Sequence, residues 1–444
     1  MNEAFVDYYR CPEDLVNFKL APEPPIKPKA GYFKFGNGNI YFGISRTPVS
    51  EVPSAALEDM SDQVSFDETA CILPFDPTEI ARNLRYELYT KQAVKVGWKN
   101  VVRRLYYTFR PAFPVAVRKH LQKAWLKGWE TTPFPRWPVD RSVDRMFETL
   151  MRLTMKASGR ERVPFIWFWP EGKSSCATMT HDVETEAGLR FAGELMDIND
   201  AYRIKSSFQL IPDARYVVHD SDLALIKGRG FEVNVHDLKH DGHLYESYET
   251  FQASAAQINK FAERFGSKGF RSAILYRNQE WFGELDCSYD MSVPNVGHLD
   301  PQRGGCCTVM PYFIGELVEI PVTATQDYTL FHVLETYSMD LWREQIRHIR
   351  QQHGLISFIV HPDYLDTAEA QATYSELLAH LANLRAEEDM WIALPGEIDT
   401  WWRQRSKMKL VADDDGWRMV GPGADRARLA YATLKNDALV YELA

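Results

Sequence analysis

Two short runs carry the residue types that hydrolytic chemistry uses, at usable spacings: Thr180-His181-Asp182-Val183-Glu184 and His236-Asp237-Leu238-Lys239-His240. Cys176 to Met179 leads into the first run as a buried strand, and alternate residues of a strand share a face. Asp182 and Glu184 therefore project together while Val183 packs behind them. Phe231 to Val235 is a second strand-like run, and the two histidines after it both reach one ion if the segment turns helically. Two neutral imidazoles and one carboxylate hold a divalent metal with a position open for water, and the ion lowers that water's pKa toward neutrality. The spare carboxylate can take the proton as general base. A third strand-like run, Ile356 to Val360, ends on His361, a candidate acid for a leaving group.

These groups need a scaffold that brings several strand ends to one place. From Pro164 onward the sequence alternates strand-like and helical runs, the signature of a parallel sheet with crossovers. Strands are predicted near 176–181, 205–211, 231–236, 268–271, 287–291, 316–320, 355–361 and 390–394. Helices are predicted near 185–201, 219–228, 246–265, 331–352, 368–387 and 396–405. Seven or eight strands with clusters at their C-terminal ends describe an α/β barrel, whose catalytic residues sit at that face.

On these residues the chain resembles the NodB-homology polysaccharide deacetylases, the fourth carbohydrate esterase family. The resemblance spans roughly residues 160 to 405 and implies a distorted (β/α)7-8 barrel that removes N- or O-acetyl groups from sugars with one bound divalent ion, zinc being expected. Thr180 to Glu184 is similar to the family's first motif, usually Thr-Phe-Asp-Asp. The resemblance makes Asp182 the base and Glu184, with Val183 in the usual second Asp position, the metal ligand, as in the Asp-X-Asp branch. His236 and His240 match the His-X-X-X-His metal motif. Gly269 to Ala273 resembles the Arg-X-Pro motif, with Ala273 for Pro, so that Arg271 orients Asp182 through a charge-assisted bond. His361 matches the histidine that carries the acid. For the family's Asp that tunes this histidine, Asp290 is preferred to Asp286. Asp327 is read as a turn or cap residue, His181 as a packing residue and His243 as a group outside the ligand set.

The flanks differ in character. Residues 1–160 form a mixed accessory region: a Pro-rich linker at 22–28, a hairpin of 31–35 and 40–43 around Gly36 to Asn39, a helix over 77–91, a second linker at 131–138 and a helix over 142–156. Residues 161–405 form the barrel. Residues 406–444 form a small antiparallel β appendage that could pair with the N-terminal hairpin.

At 444 residues, 45% hydrophobic and 25% charged, the chain has the composition of a globular protein with a sizeable core. The net charge of −10 argues against a nucleic-acid partner. Between Val96 and Trp129, however, eight Lys and Arg interleave with aromatics and no Asp or Glu occurs. Solvated helices packed on the barrel are the plainer reading, and peripheral contact with an anionic membrane or saccharide is the other. The six cysteines show no CxxC spacing, and neither an apolar leader nor a membrane-spanning run is present, which predicts a cytoplasmic protein. That location favours a biosynthetic sugar precursor over a finished wall polymer. Other functions compatible with the same residues are hydrolysis of a cyclic amide or formamide, non-catalytic saccharide binding and, least in keeping with His361, a non-haem iron oxygenase.

Overall fold

The computed structural model describes residues 1–444 except 25–27, 55, 69, 94–127, 388 and 415, together with the side chains of 91–93. Seven strands build the framework of the site: β1 (Cys176–Val183), β2 (Ser207–Leu210), β3 (Glu232–His236), β4 (Gly269–Arg271), β5 (Tyr289–Asp290), β6 (Leu317–Glu319) and β7 (Leu355–Ile359). Their spatial order is β6-β5-β4-β3-β2-β1-β7, every pair parallel. Tyr312–Ile314 adds an antiparallel edge to β6, and Trp391–Ile392 pairs with the start of β1.

The sheet curls until its ends meet. Past β6 the chain runs back to β7, where Ala324 donates its N–H to Ser357 O at 3.1 Å and Thr323 Oγ1 donates to Leu355 O at 2.8 Å. The architecture is thus the expected distorted barrel, closed on this side by an irregular segment in place of a regular strand.

Register decides which side chains face the axis. Asp182 stands beside Gln209, and His236 beside Arg271, on the inner face. Val183, Leu210, Val235 and Phe270 are mutually registered on the outer face and belong to one buried apolar cluster with the covering helices. Those helices are α1 (Glu186–Ala201), α2 (Asp220–Gly228), α3 (Tyr248–Phe265), α4 (Asp340–Arg350), α5 (Ala368–Glu387) and α6 (Pro395–Lys407). Local chemistry sets their starts: Thr185 Oγ1 accepts the Gly188 N–H at 3.2 Å and Ser247 Oγ the Thr250 N–H at 3.1 Å.

Three expectations need correction. The helix predicted over 331–352 is a π-turn, Thr329–Val333, followed by α4. Between them Ser338 Oγ takes the Asp340 N–H at 3.1 Å in a turn that competes with helix. The helix predicted over 77–91 breaks into Pro77–Arg85 and Leu88–Ala93 around Glu87, whose φ is 54°. In the C-terminal appendage Leu429–Lys435 pairs with Arg162–Ile166, and not with the hairpin Ala30–Phe35/Asn39–Ile44. The basic run of 96–129, save its last two residues, lies outside the described residues. Among the described residues no helix is long and apolar enough to cross a membrane.

The accessory region and the barrel meet at a buried ion pair. Arg277, fully buried, donates Nε to Glu87 Oε2 at 2.6 Å and NH2 to Glu87 Oε1 at 2.5 Å. Removing one partner strands the other charge away from water, which costs about 3–5 kcal/mol. Glu87→Ala is therefore expected to lower unfolding stability by about that amount in a chemical denaturation series, and an unchanged midpoint would contradict it.

Candidate metal and acid-base site

The site is assembled at the C-terminal ends of β1, β3, β4 and β7. Glu184, His236 and His240 each present a ligand atom, all within 4.8 Å of one another. His240 Nε2 lies 3.0 Å from Glu184 Oε1, and the two imidazole centroids are 4.9 Å apart. The path after β3 is not the helical turn expected. Asp237 and His240 both take left-handed φ, 56° and 54°, so a tight loop folds one histidine back over the other. Asp237 fixes that loop by accepting the Leu238 and Ala273 N–H groups at 2.5 and 3.2 Å.

The fit to a cation rests on the nitrogens. His236 Nδ1 lies 3.1 Å from Arg271 O, a carbonyl that can only accept, so Nδ1 carries the proton and Nε2 is left with a lone pair. That Nε2 is buried and has no hydrogen-bond partner. Burial, the largest influence, depresses the His236 pKa and keeps the ring neutral. A neutral imidazole oriented by a carbonyl is the usual condition of a metal-binding histidine. Burial opposes the charge on Glu184, but His240 first and then His361 and His236 outweigh it, holding its carboxyl far below the ordinary range. Asp363 supports the same residue, accepting the Glu184 main-chain N–H at 3.1 Å.

Asp182 lies on the other side of His236, with Oδ2 3.9 Å from Nε2. Arg271 NH1 approaches both its oxygens, at 3.3 and 3.4 Å, while NH2 donates to Thr180 Oγ1 at 3.1 Å. Burial raises the Asp182 pKa, yet Arg271, His236 and His361 together bring it below the ordinary value. The group is an anion at neutral pH, held in place by Arg271.

His361 completes the set, with Nε2 3.7 Å from Glu184 Oε1. Its partner is Asp327 and not Asp290. Asp327 Oδ1 receives Nδ1–H at 2.6 Å, and Oδ2 receives the His361 main-chain N–H at 2.7 Å. Burial acts against the imidazolium, but Asp327, then Glu184 and Asp182, raise its pKa to about 10. Asp290 is registered with Phe270, on the outer face of the sheet. There it shares a hydrogen bond with Glu319 and accepts two from Ser292, at 2.6 and 2.8 Å. His181 is likewise outside the site, with Nδ1 2.9 Å from Val360 O and its ring packed on Phe208 and Tyr374.

Leu275, Val322 and Ile359 form a small apolar cluster, of which Ile359 is registered with Thr180. Tyr364 packs its ring 4.8 Å from His361. Tyr364 falls in a short turn after β7, and of the cluster only Ile359 lies in a predicted strand.

The sequence matches no family model and no curated protein. Solved structures to which the chain is similar include a protein of Mycobacterium smegmatis described as a polysaccharide deacetylase, at 20% identity and a TM-score of 0.43, covering 54% of this chain and 93% of that one. Others are the allantoinase PuuE, at 12% and 0.40, covering 53% and 92%, and a family 4 acetyl xylan esterase of Clostridium thermocellum in complex with cobalt, at 15% and 0.35, covering 51% and 91%.

The Asp327 contact predicts a titration. A raised imidazole pKa means that charged His361 stabilises the fold fully below its ordinary value of 6.5, and that this contribution is lost as pH rises through about 10. In metal-free protein, Asp327→Asn is expected to lower the His361 pKa by at least about one unit in an NMR titration, since a neutral partner no longer favours the cation. Asp290→Asn should leave it in place. The reverse pattern would return the tuning role to Asp290.

Proposed function

We propose that this chain is a metal-dependent hydrolase that removes an acetyl group from the nitrogen, or the oxygen, of a sugar or saccharide precursor, as a variant member of the polysaccharide deacetylases. The observation that carries the reading is the unpartnered, lone-pair-bearing Nε2 of buried His236, placed with His240 and Glu184 between an anionic carboxylate and a charged imidazole. Glu184, His236 and His240 would hold the ion, for which zinc suits a set of two imidazoles and one carboxylate. When bound, it would supply Lewis-acid polarisation of the acyl carbonyl and of water.

The remaining steps belong to side chains. Asp182 removes a proton from the attacking water, its carboxylate kept ionised and aimed by Arg271. Arg271 is a positioning residue, because its NH1 and NH2 meet Asp182 and Thr180. His361 stays protonated through neutral pH because Asp327 holds Nδ1–H, so Nε2–H can be given to the departing amine. Two groups are therefore poised in opposite protonation states at one pH, as a general base and a general acid must be.

Two measurements test the reading. Protein purified without added metal should contain about one equivalent of zinc or a similar ion by elemental analysis, and His236→Ala combined with His240→Ala should lose it. Zinc-loaded wild type should release acetate from N-acetyl sugars, and Asp182→Asn should reduce that rate about 10²–10⁴-fold while keeping its metal. Metal-free wild type after reconstitution, or an Asp182→Asn variant as fast as wild type, would overturn the assignment.

A further inference from the structure

His361 meets the reaction with one nitrogen. Nδ1 is committed to Asp327, so Nε2 is the atom that faces a leaving group. Whatever is protonated there lies on the His361 side of the mouth, and its neighbours on that side are aromatic. Tyr364 stands against His361. Tyr328 and His332 set their rings 5.5 and 5.0 Å from Tyr364 and 5.4 Å from each other. All three are half-buried. The backbone reaches this arrangement by an uncommon route: Thr329–Val333 is a π-turn, directly after Tyr328, and His332 lies within it. Such turns are concentrated at functional sites.

A pyranose ring matches this side of the mouth, having one face of C–H groups for an aromatic ring to cover.

We propose that Tyr364, with Tyr328 and His332 beside it, is a stacking seat for the pyranose ring of the leaving sugar. The proposal rests on the deacetylase reading and deepens it, because it places selectivity in the leaving group and not in the acyl group. A cyclic amide keeps its acyl and amine parts in one small ring and makes no use of such a seat.

The test is binding to the full chain, zinc-loaded and carrying Asp182→Asn so that the saccharide is not consumed. Titration calorimetry would use the methyl glycosides of N-acetylglucosamine, N-acetylgalactosamine and N-acetylmannosamine, and tri-N-acetylchitotriose. Tyr364→Ala in that background is expected to weaken the best ligand about tenfold, and Tyr364→Phe to stay within about twofold because the ring remains. Both should keep their zinc. If Tyr364→Ala loses zinc, the same comparison on Tyr328→Ala decides. Unchanged affinity in the Ala variant overturns the seat, and so does failure of the parent to bind any of the four probes. Acetate release by wild type from the same sugars is read separately. Release with unchanged Ala-variant affinity would leave the deacetylase reading standing without the seat. Stacking-dependent binding with no release would keep the seat and sink the deacetylase.

Discussion

Arg271 is completely buried, and the site depends on how that charge is accommodated. A guanidinium taken out of water is tolerated only beside an anion, and here NH1 and NH2 have partners while the buried Nε has none. The side chain meets Asp182 and Thr180 on β1, two strands away around the curl from its own near neighbour β3. The main-chain carbonyl of the same residue lies 3.1 Å from His236 Nδ1 and 2.7 Å from the Asp237 N–H. One residue thus orients Asp182 through its side chain and His236 through its backbone. Displacing it would unsettle the carboxylate, the imidazole tautomer and the tight loop at once.

The barrel interior below Arg271 has to be polar to carry these groups. Asn234 donates to Glu232 at 2.7 Å and to Gln209 at 3.3 Å, and accepts from Tyr289 Oη at 2.9 Å and from the Gly269 N–H at 3.1 Å. Glu232 also takes the Gly396 N–H at 2.9 Å, tying the start of α6 into the same network. Gly269 is required for its size: a Cβ there would stand 2.3 Å from the Tyr289 ring. Cross-linked groups of this kind help to hold register in the sheet.

What the sequence disclosed followed from periodicity and from strand ends. Alternation along β1 separated Asp182 and Glu184 from Val183 and His181, and the structure keeps that division because a strand has no other way to present them. The β/α rhythm likewise located the seven strands. What stayed hidden depended on the chain returning from far away. Asp327 follows β6 by several residues and reads as a loop carboxylate until that segment is seen to lie along β7, which no local pattern announces. Asp290 misled for the complementary reason. It sits in a short strand where two residues cannot reveal which face is inside, and register with Phe270 turns it outward. The tight turn after β3 was similarly illegible, since His-X-X-X-His is compatible with a helix and with two left-handed residues alike.

The accessory region takes part in the barrel more directly than its linker-like composition suggests. Its residues supply hydrogen bonds to the 294–309 segment, which connects β5 to the edge of the sheet. Asp140 N–H and C=O pair with the Asn295 amide at 2.8 and 2.7 Å, and Asp144 accepts from Thr308 Oγ1 and the Val309 N–H at 2.8 and 3.0 Å. Glu87 takes the Gly305 N–H at 2.5 Å in addition to Arg277, and Tyr89 donates to Gly305 O at 2.7 Å. A barrel cut at residue 161 would leave a buried guanidinium, an amide and several main-chain groups without partners, each costing about 1–3 kcal/mol or more for the charge. The boundary legible in composition is therefore not a boundary in hydrogen bonding, and the residues before it belong to the framework that holds Arg277 and the 294–309 segment in place.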